Sequence, residues 1–212
     1  MINYYSLGSK GEEVKKIQRL LTNLGYSLNI DGVYGEKTKN VVTRYQTDNN
    51  LLTDGVAGPK TYEKLLLKNG YNEAEAYINS RDFFSKTKYF IYVNLPKFTV
   101  SIFSGRNKEW QLIKQYPATI GKKQTPTVTG SFTVKAKGEG YAKPKEGFKV
   151  KWYTQFYRGY LFHSILFNFD GTIFDGRLKM ALSDGCIRLN ELDAKYIYDF
   201  VPYGSLVVIE NT

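Results

Sequence analysis

The chain has 212 residues, enough for one large domain or two small ones, and its 30 basic and 20 acidic side chains give a formal net charge of +10. A hydrophobic share of 42% is typical of a globular protein, and no run of about 18 apolar residues predicts a helix across a membrane. One cysteine and one histidine exclude an intrachain disulfide and a structural zinc site.

Residues 1–69 predict a small bundle of three helices. In the stretch GEEVKKIQRLLTNLG, apolar residues recur at spacings of three and four, which predicts an amphipathic helix that stops at Gly25. A second helix is predicted over residues 36–48, and a third begins at Pro59, a favoured first-turn residue. The opening MINYYSLGSKGEEV lacks the charged head and apolar stretch of a signal peptide, so no export signal is visible.

A short repeat precedes the second and third helices. DGVYGEKT over residues 31–38 returns as DGVAGPKT over residues 54–61, and each copy combines a D-G turn with a second glycine and a helix entry. A repeated loop–helix brace without a ligand remains one interpretation. The surrounding stretches GSKGEEVKKIQRLLTNLGY and DGVYGEKTKNVVTRYQTDNNLL resemble the three-helix type of peptidoglycan-binding domain. The resemblance implies a module, placed at residues 1–69, that brings an enzyme to cell-wall glycan and peptide.

Residues 70–87 show no repeat and are interpreted as a linker with some helical character. From residue 88 the chain becomes rich in β-branched and aromatic residues, broken by turn signals such as SGRNKE and GKKQTPTVTG, so a run of short strands is predicted. The stretch NELDAKYIYDFV predicts one helix after Asn190. The expected fold is therefore α+β with two domains, a three-helix domain followed by a mostly β domain with one main helix over residues 88–212.

Cys186 and His163 are the only members of their residue types, and each has a plain structural interpretation as a buried side chain. Gly185 lets backbone amides approach a reacting carbonyl, and Arg188 favours a nearby thiolate. A cysteine nucleophile needs a base, and His163 is the only side chain that titrates near neutrality without a perturbed pKa. Together the two unique residues predict a catalytic pair.

The stretch FHSI, followed after a loop by SDGCIRLNELDAKYIYDFVPYGSLVVI, resembles the L,D-transpeptidase catalytic domain of the YkuD type, as does YPATIGKKQTPTVTGSFTV upstream. The resemblance implies that Cys186 attacks the third-residue carbonyl of a peptidoglycan stem tetrapeptide, that terminal D-Ala leaves, and that an amine resolves the thioester into a 3→3 cross-link. It further implies His163 as base, the Ser164 carbonyl as its orienting group and the amides of Gly185 and Cys186 as oxyanion donors. Carbapenems are the implied acylating inhibitors, no metal or organic cofactor is implied, and the implied location is extracellular, at the cell wall.

Further substrate-binding positions are expected around this motif: Ser183, Asp184, Arg188, Tyr141 and Trp152. Asp184 stands where the family normally has a second histidine. A carboxylate there raises the pKa of the thiol unless a cation pairs with it; Arg188 is one candidate partner, and other basic groups are alternatives.

Three other functions remain open from the sequence. The same residues would serve an L,D-carboxypeptidase or a lytic peptidoglycan hydrolase if water resolves the thioester. A non-catalytic wall-binding protein, disabled by Asp184, is a second alternative. The net charge also permits nucleic-acid binding, but the basic residues do not cluster on one helix and no nucleic-acid motif occurs, so no nucleic-acid partner is expected.

Overall fold

A computed structural model describes residues 4–212, which divide into two compact units. The first unit contains residues 4–83 and 107–110, and the second contains residues 84–106 and 111–212. Within residues 4–212, none of the helices has the length and apolar character needed to cross a membrane.

The first unit is helical. Its helices are α1 (Glu12–Asn23), α2 (Glu36–Asp48), α3 (Pro59–Lys68) and α4 (Glu73–Asn79). The apolar stripe of α1 is buried, as the spacing predicts, and it packs with the inner faces of α2 and α3 in one core. Gly25, with φ of 90°, follows the end of α1, where the left-handed backbone suits glycine.

The sequence repeat forms two copies of one hydrogen-bonded brace. The side-chain amide of Gln18 on α1 donates to Asp31, to the Val33 carbonyl and to Thr38, and its oxygen accepts the Gly32 amide. In the second copy Gln46 on α2 makes the equivalent four bonds, with Asp54, Gly55, Val56 and Thr61. Each buried glutamine thus fixes a D-G loop and the first turn of the next helix.

The segment expected to be a linker contains α4. Ala76 and Ile78 of this helix are fully buried, and Ala76 belongs to the same core as α1 to α3. Asn72 caps α4 by accepting the Glu75 amide through its side chain. Residues 72–80 are therefore a packed part of the first unit, because their apolar residues have a core to join; the exact domain limits stay a prediction.

The second unit is mostly β, as the sequence predicts. Its strands are β1 (Tyr89–Asn94), β2 (Thr99–Ser104), β3 (Gln111–Pro117), β4 (Ile120–Gly121), β5 (Gly130–Thr133), β6 (Ala136–Lys143), β7 (Phe148–Tyr157), β8 (Tyr160–Ser164), β9 (Leu166–Phe167), β10 (Ile173–Asp175), β11 (Ala181–Ser183), β12 (Ile187–Leu189) and β13 (Leu206–Glu210). A short 3₁₀ turn (Pro144–Glu146) separates β6 from β7, and the helix α5 (Glu191–Phe200) precedes β13.

Two sheets form the frame of this unit. One has the strand order β3-β2-β1-β13-β5, the other has the order β10-β9-β7-β8-β12 with β6 also paired to β7, and β11 pairs with β4 separately. One apolar core joins residues from both sheets and from α5. The parallel pairing of β8 with β12 brings two distant chain segments, at residues 160–164 and 187–189, side by side.

Candidate active site

Cys186 and His163 lie on neighbouring strands. In the parallel pair, Phe162 is opposite Ile187 and His163 is opposite Arg188. Side chains alternate along a strand, so Cys186, which directly precedes β12, shares a face with Arg188 and therefore with His163. The two positions are diagonal neighbours, about 4.8 Å apart across the strands and about 6.6 Å along them by strand geometry.

The Cys186 thiol is partly buried at the turn between β7 and β8. Its Sγ lies 3.5 Å from the carbonyl oxygen of Gly159, to which the S–H donates. Burial raises the pKa of the thiol, and the charge of Asp184 adds to this, while the Leu161 amide and Lys143 act in the opposite direction. Burial is the largest of these effects, so Cys186 is a protonated thiol at neutral pH.

His163 is buried, with 4% of its surface exposed, and its tautomer is fixed. Nδ1 lies 2.6 Å from the Ser164 carbonyl oxygen, which can only accept, so Nδ1 carries the proton and Nε2 keeps its lone pair. The pKa of His163 is lowered to about 4, chiefly by burial and with smaller contributions from the charges of Arg188 and Lys143, while the hydrogen bond to the Ser164 carbonyl opposes the shift. At neutral pH the imidazole is therefore an uncharged base.

Tyr141 on β6 lies against this pair. The edge of its ring faces the His163 ring with centroids 6.4 Å apart. Burial raises the pKa of Tyr141 and the proximity of Cys186 contributes to the same shift, which places the phenol near both residues. The structure thus brings Tyr141 to the site.

The turn before Cys186 depends on glycine. Gly185 has φ of 109°, and a Cβ at this position would lie 2.6 Å from Cε1 of Tyr160. The Gly185 amide donates to Ser183 Oγ at 3.2 Å, and that hydroxyl donates to the Cys186 carbonyl at 2.6 Å. In this structure the Ser183 side chain accepts from the Gly185 amide, and the role of that amide as an oxyanion donor stays a prediction.

The stretch from β4 to β5 supports the same turn from outside. Thr127 Oγ1 donates to the Gly185 carbonyl at 2.9 Å and accepts the Gly121 amide at 2.8 Å. The Ser183 carbonyl accepts the Lys122 amide at 2.9 Å and the Thr125 hydroxyl at 3.2 Å. These bonds attach residues 121–127 to the turn that precedes Cys186.

The two charged residues of the motif have partners other than the expected ones. Asp184 Oδ1 pairs with Lys122 Nζ at 2.7 Å, whereas Arg188 Nη1 pairs with Asp175 Oδ2 at 2.8 Å. Arg188 lies on the buried face of β12 and Asp184 projects to solvent, so the two do not form the predicted pair. The Lys122 contact is the first cause of a lowered pKa at Asp184, which stays ionised at neutral pH.

Trp152 is not part of this arrangement. Its ring packs on Tyr198 of α5, with centroids 5.3 Å apart, and lies under the ammonium of Lys195 at 4.6 Å. The expectation that Trp152 lines the substrate cleft stays a prediction. The aromatic ring helps to attach α5 to β7.

Sequence reasoning missed four residues that shape the site: Gly159, Tyr160, Lys122 and Asp175. Gly159 and Tyr160 lie in the stretch YRGY between two aromatic strands. The sequence predicts a turn there but does not show that this turn lies beside Cys186. Lys122 lies 61 residues before Ser183 and Asp175 lies 8 residues before it, and no local pattern shows that their side chains pair with residues of the motif.

The described residues contain no group of three or more His, Cys, Asp and Glu side chains that could hold a metal ion. The donor set for a bound metal is therefore not assembled within residues 4–212.

Comparison with known families assigns both parts of the chain. Residues 10–65 match a peptidoglycan binding domain, and residues 88–209, more than half of the chain, match the L,D-transpeptidase catalytic domain. The chain belongs to the L,D-transpeptidase family. Both resemblances seen in the sequence are thereby confirmed, together with the α+β fold.

Solved structures resemble this L,D-transpeptidase family member over nearly its full length. A protein from Clostridium acetobutylicum, described as a fused Zn-dependent amidase/peptidase/peptidoglycan-binding domain-containing protein, is 36% identical, with a TM-score of 0.58, over 99% of this chain and 100% of that one. An L,D-transpeptidase from Stackebrandtia nassauensis, 17% identical over 98% of this chain and 95% of that one with a TM-score of 0.50, shares the fold.

Two characterised proteins match over shorter stretches. A zinc D-Ala-D-Ala carboxypeptidase of Streptomyces albus G is 41% identical over 63 residues, which cover 28% of this chain and 25% of that protein. A probable N-acetylmuramoyl-L-alanine amidase of Bacillus licheniformis is 44% identical over 64 residues, or 27% of this chain and 18% of that protein. The matched stretches thus span a quarter or less of these relatives.

Proposed function

We propose that this protein is a peptidoglycan L,D-transpeptidase that forms 3→3 cross-links through a thioester on Cys186. The observation that carries the proposal is the parallel pairing of β8, which contains His163, with β12, which Cys186 directly precedes, together with the hydrogen bond between His163 Nδ1 and the Ser164 carbonyl. A nucleophile, a base and an orienting group form the usual set for acyl transfer.

The first step begins from neutral partners. Nε2 of His163 accepts the thiol proton as Cys186 Sγ bonds to the carbonyl carbon of the third stem residue. The imidazolium that forms is disfavoured by burial but stabilised by the Ser164 carbonyl, so it persists only until it protonates the leaving amine. D-Ala departs with that proton, and the acyl group remains on sulfur.

The negatively charged oxygen of the tetrahedral intermediate needs a hydrogen-bond donor from the turn that contains Cys186. We assign this role to the Cys186 amide, because Ser183 accepts from the Gly185 amide. Ser183 and Gly185 then act by fixing the turn that positions Cys186. Tyr141, whose ring packs on His163, is assigned to the side of the site that contacts the peptidoglycan stem peptide. Loss of one oxyanion donor typically costs about 3 kcal/mol in transition-state stabilisation.

The second step decides between two products. Attack by the side-chain amine of another stem gives the cross-link, and attack by water gives an L,D-carboxypeptidase or a lytic hydrolase. The names of the Streptomyces and Bacillus relatives, a carboxypeptidase and an amidase, favour keeping hydrolysis as the second candidate.

The first unit is proposed to hold the enzyme on peptidoglycan, which places its action outside the cell, at the wall. Residues 87–212 carry 18 basic and 10 acidic groups, a net charge of +8 that attracts anionic wall polymers. The proposed partners are stem peptides and glycan, with carbapenems as acylating inhibitors of Cys186.

Incubation with a purified tetrapeptide muropeptide, followed by mass analysis of the products, tests the proposal. D-Ala release together with a dimer that joins a tripeptide donor stem to a tetrapeptide acceptor stem supports the transpeptidase. D-Ala release without dimer supports the carboxypeptidase, and a Cys186→Ala variant that still releases D-Ala overturns both. A protein that forms no carbapenem adduct and releases no D-Ala would be the non-catalytic wall-binding protein.

A further inference from the structure

The backbone of Trp152, in the middle of β7, adopts a left-handed conformation with φ of 55°. A left-handed φ is uncommon for any residue other than glycine, and for a bulky side chain inside a strand it is a genuine outlier. The indole Nε1 is also buried, with no hydrogen-bond partner within residues 4–212. Neither feature stabilises the fold, and backbone strain of this kind concentrates at functional sites.

The pairing of β7 with its neighbours lapses around this tryptophan, although the register does not change. Thr154 lies opposite Phe162 on β8, and Lys149 lies opposite Phe167 on β9. The steps from 154 to 149 and from 162 to 167 are both five residues, so no residue is inserted between the two pairs. In an unbroken ladder Ser164 would lie opposite the tryptophan, but these two positions are not paired within the described strands.

The main-chain groups of Ser164 face this lapse. The amide and carbonyl of Arg188 both bond to Thr119, at 2.8 and 2.9 Å, so they point to the side of β12 away from β8. Main-chain groups alternate between the two sides of a strand, so the residue opposite Arg188, which is His163, directs its own groups to β12. The next residue, Ser164, therefore directs its amide and carbonyl to the β7 side.

The hydroxyl of Ser164 satisfies main-chain groups beside the lapse. It accepts the Lys151 amide at 2.8 Å and donates to the Ile165 carbonyl at 2.7 Å, and the side chain is fully buried. Buried main-chain groups need such partners once a ladder is interrupted. The Ser164 carbonyl can then turn out of the plane of the sheet, toward the face that carries the imidazole, and its oxygen lies 2.6 Å from Nδ1 of His163.

We propose that Trp152 is a positioning residue for His163: its left-handed backbone interrupts the ladder between β7 and β8 and so turns the Ser164 carbonyl onto Nδ1, which leaves Nε2 as the base. The inference rests on the proposed transpeptidase function, in which His163 takes the thiol proton.

Contacts of the indole with α5 hold the strained backbone in place. The ring of Trp152 packs on Tyr198, with centroids 5.3 Å apart, and lies under the ammonium of Lys195 at 4.6 Å. A strained conformation persists only where the surrounding structure determines it, and these contacts from a separate helix do so here. The side chain thus anchors the residue, whereas the backbone acts on the site.

The tautomer of His163 provides the test. His163 is the only histidine, so long-range proton–nitrogen correlation spectra of the full-length protein, labelled with nitrogen-15 in histidine, report a single ring. Trp152→Gly and Trp152→Val both delete the indole, but glycine accepts a left-handed φ and a β-branched residue resists it. We expect Trp152→Gly to keep the wild-type spectrum, with Nδ1 protonated and Nε2 free at neutral pH. Trp152→Val should show a mixture of tautomers, and a carbapenem should acylate its Cys186 at least about tenfold more slowly than that of Trp152→Gly.

Matched variants separate positioning from general damage. Lys179 is exposed and also has a left-handed φ, of 58°, so Lys179→Val introduces the same kind of strain elsewhere and should keep the wild-type tautomer. The pair Trp152→Asn and Trp152→Thr repeats the comparison with polar side chains and keeps the test decisive if valine prevents folding, because asparagine tolerates the left-handed region and threonine is β-branched.

Two results would overturn the inference: the same tautomer mixture in the glycine and valine variants of Trp152, or a wild-type tautomer in the valine and threonine variants. A wild-type protein whose His163 carries its proton on Nδ1, but which forms no carbapenem adduct on Cys186, would instead overturn the proposed function.

Discussion

Burial determines the protonation states of the two residues proposed to carry the chemistry. The thiol of Cys186 is held protonated and the imidazole of His163 uncharged, both mainly by burial. A resting thiolate–imidazolium pair is therefore disfavoured, and in the proposed mechanism the proton is transferred as the sulfur attacks the carbonyl. The sequence identified both residues by their uniqueness, but it gave no means to judge their burial.

A pH profile tests this description of His163. Because burial depresses its pKa from 6.5 to about 4, the imidazole remains the free base above that value and loses this form as the pH falls through it. We expect the rate of Cys186 acylation by a carbapenem to fall with a midpoint close to that pKa of about 4. Intact-protein mass spectrometry at short times measures the rate. A midpoint at the ordinary histidine pKa of about 6.5 would indicate a solvated imidazole.

Substitution of Gly185 tests the turn that positions Cys186. Alanine would place Cβ 2.6 Å from the Tyr160 ring in a backbone region with φ of 109°. Strain of this kind costs about 1–3 kcal/mol, and a displacement of the sulfur by about 1 Å can cost about 100-fold in rate. We expect Gly185→Ala to lose activity by about that factor and to unfold at lower temperature, whereas Gly159→Ala, which meets nothing within 4 Å, keeps the fold. Unchanged acylation in Gly185→Ala would contradict this role.

At the scale of elements, periodicity and turn signals predicted most of the fold. The apolar spacing of α1, the proline that opens α3 and the β-branched runs of the second unit all correspond to observed elements. Some helical character was expected where α4 lies, but its packing into the first unit was not, because its seven residues lack a long stripe and only contact with the core defines its buried face. The parallel pairing of β8 with β12 was likewise beyond local patterns, since it joins segments more than 20 residues apart.

The glutamine braces provide a prediction at this scale. Replacing Gln18 or Gln46 by leucine removes four hydrogen bonds and leaves the amide of a buried glycine without its acceptor. We expect each variant to lower the free energy of unfolding of the first unit by about 1–3 kcal/mol, and the two losses to be similar because the braces are equivalent. Denaturant-induced unfolding, monitored by hydrogen exchange of the backbone amides in α1 and α2, gives these free energies of unfolding. The exposed substitution Asn40→Leu serves as the control, and a loss equal to that of the control would show that the braces contribute nothing.

At the scale of the whole molecule, the chain combines a peptidoglycan-binding family member with an L,D-transpeptidase family member. The sequence predicted this combination because both motifs are local and specific. The partners of Asp184 and Arg188 were not predictable, since Lys122 and Asp175 reach the motif only through tertiary structure. Family membership could thus be predicted from local sequence motifs, whereas the ion-pair partners of the charged site residues could be identified only from the folded structure.

At this scale we predict that wall binding belongs to the first unit and acylation to the second. Cys186→Ala changes one atom of a side chain in the second unit, so we expect it to sediment with insoluble peptidoglycan as the wild type does while forming no acyl adduct. A pelleting assay with intact-mass analysis of the pellet measures both properties. Loss of wall binding in this variant would place the binding surface at the proposed active site.

The thioester itself is the most direct observable. Wild-type protein mixed with a tetrapeptide muropeptide, quenched in acid and digested, should carry the tripeptide acyl group on the peptide that contains Cys186, with one D-Ala released for each adduct, and Cys186→Ala and His163→Ala should carry none. An adduct on any other residue, or D-Ala release from Cys186→Ala, would contradict the assignment of Cys186 as nucleophile.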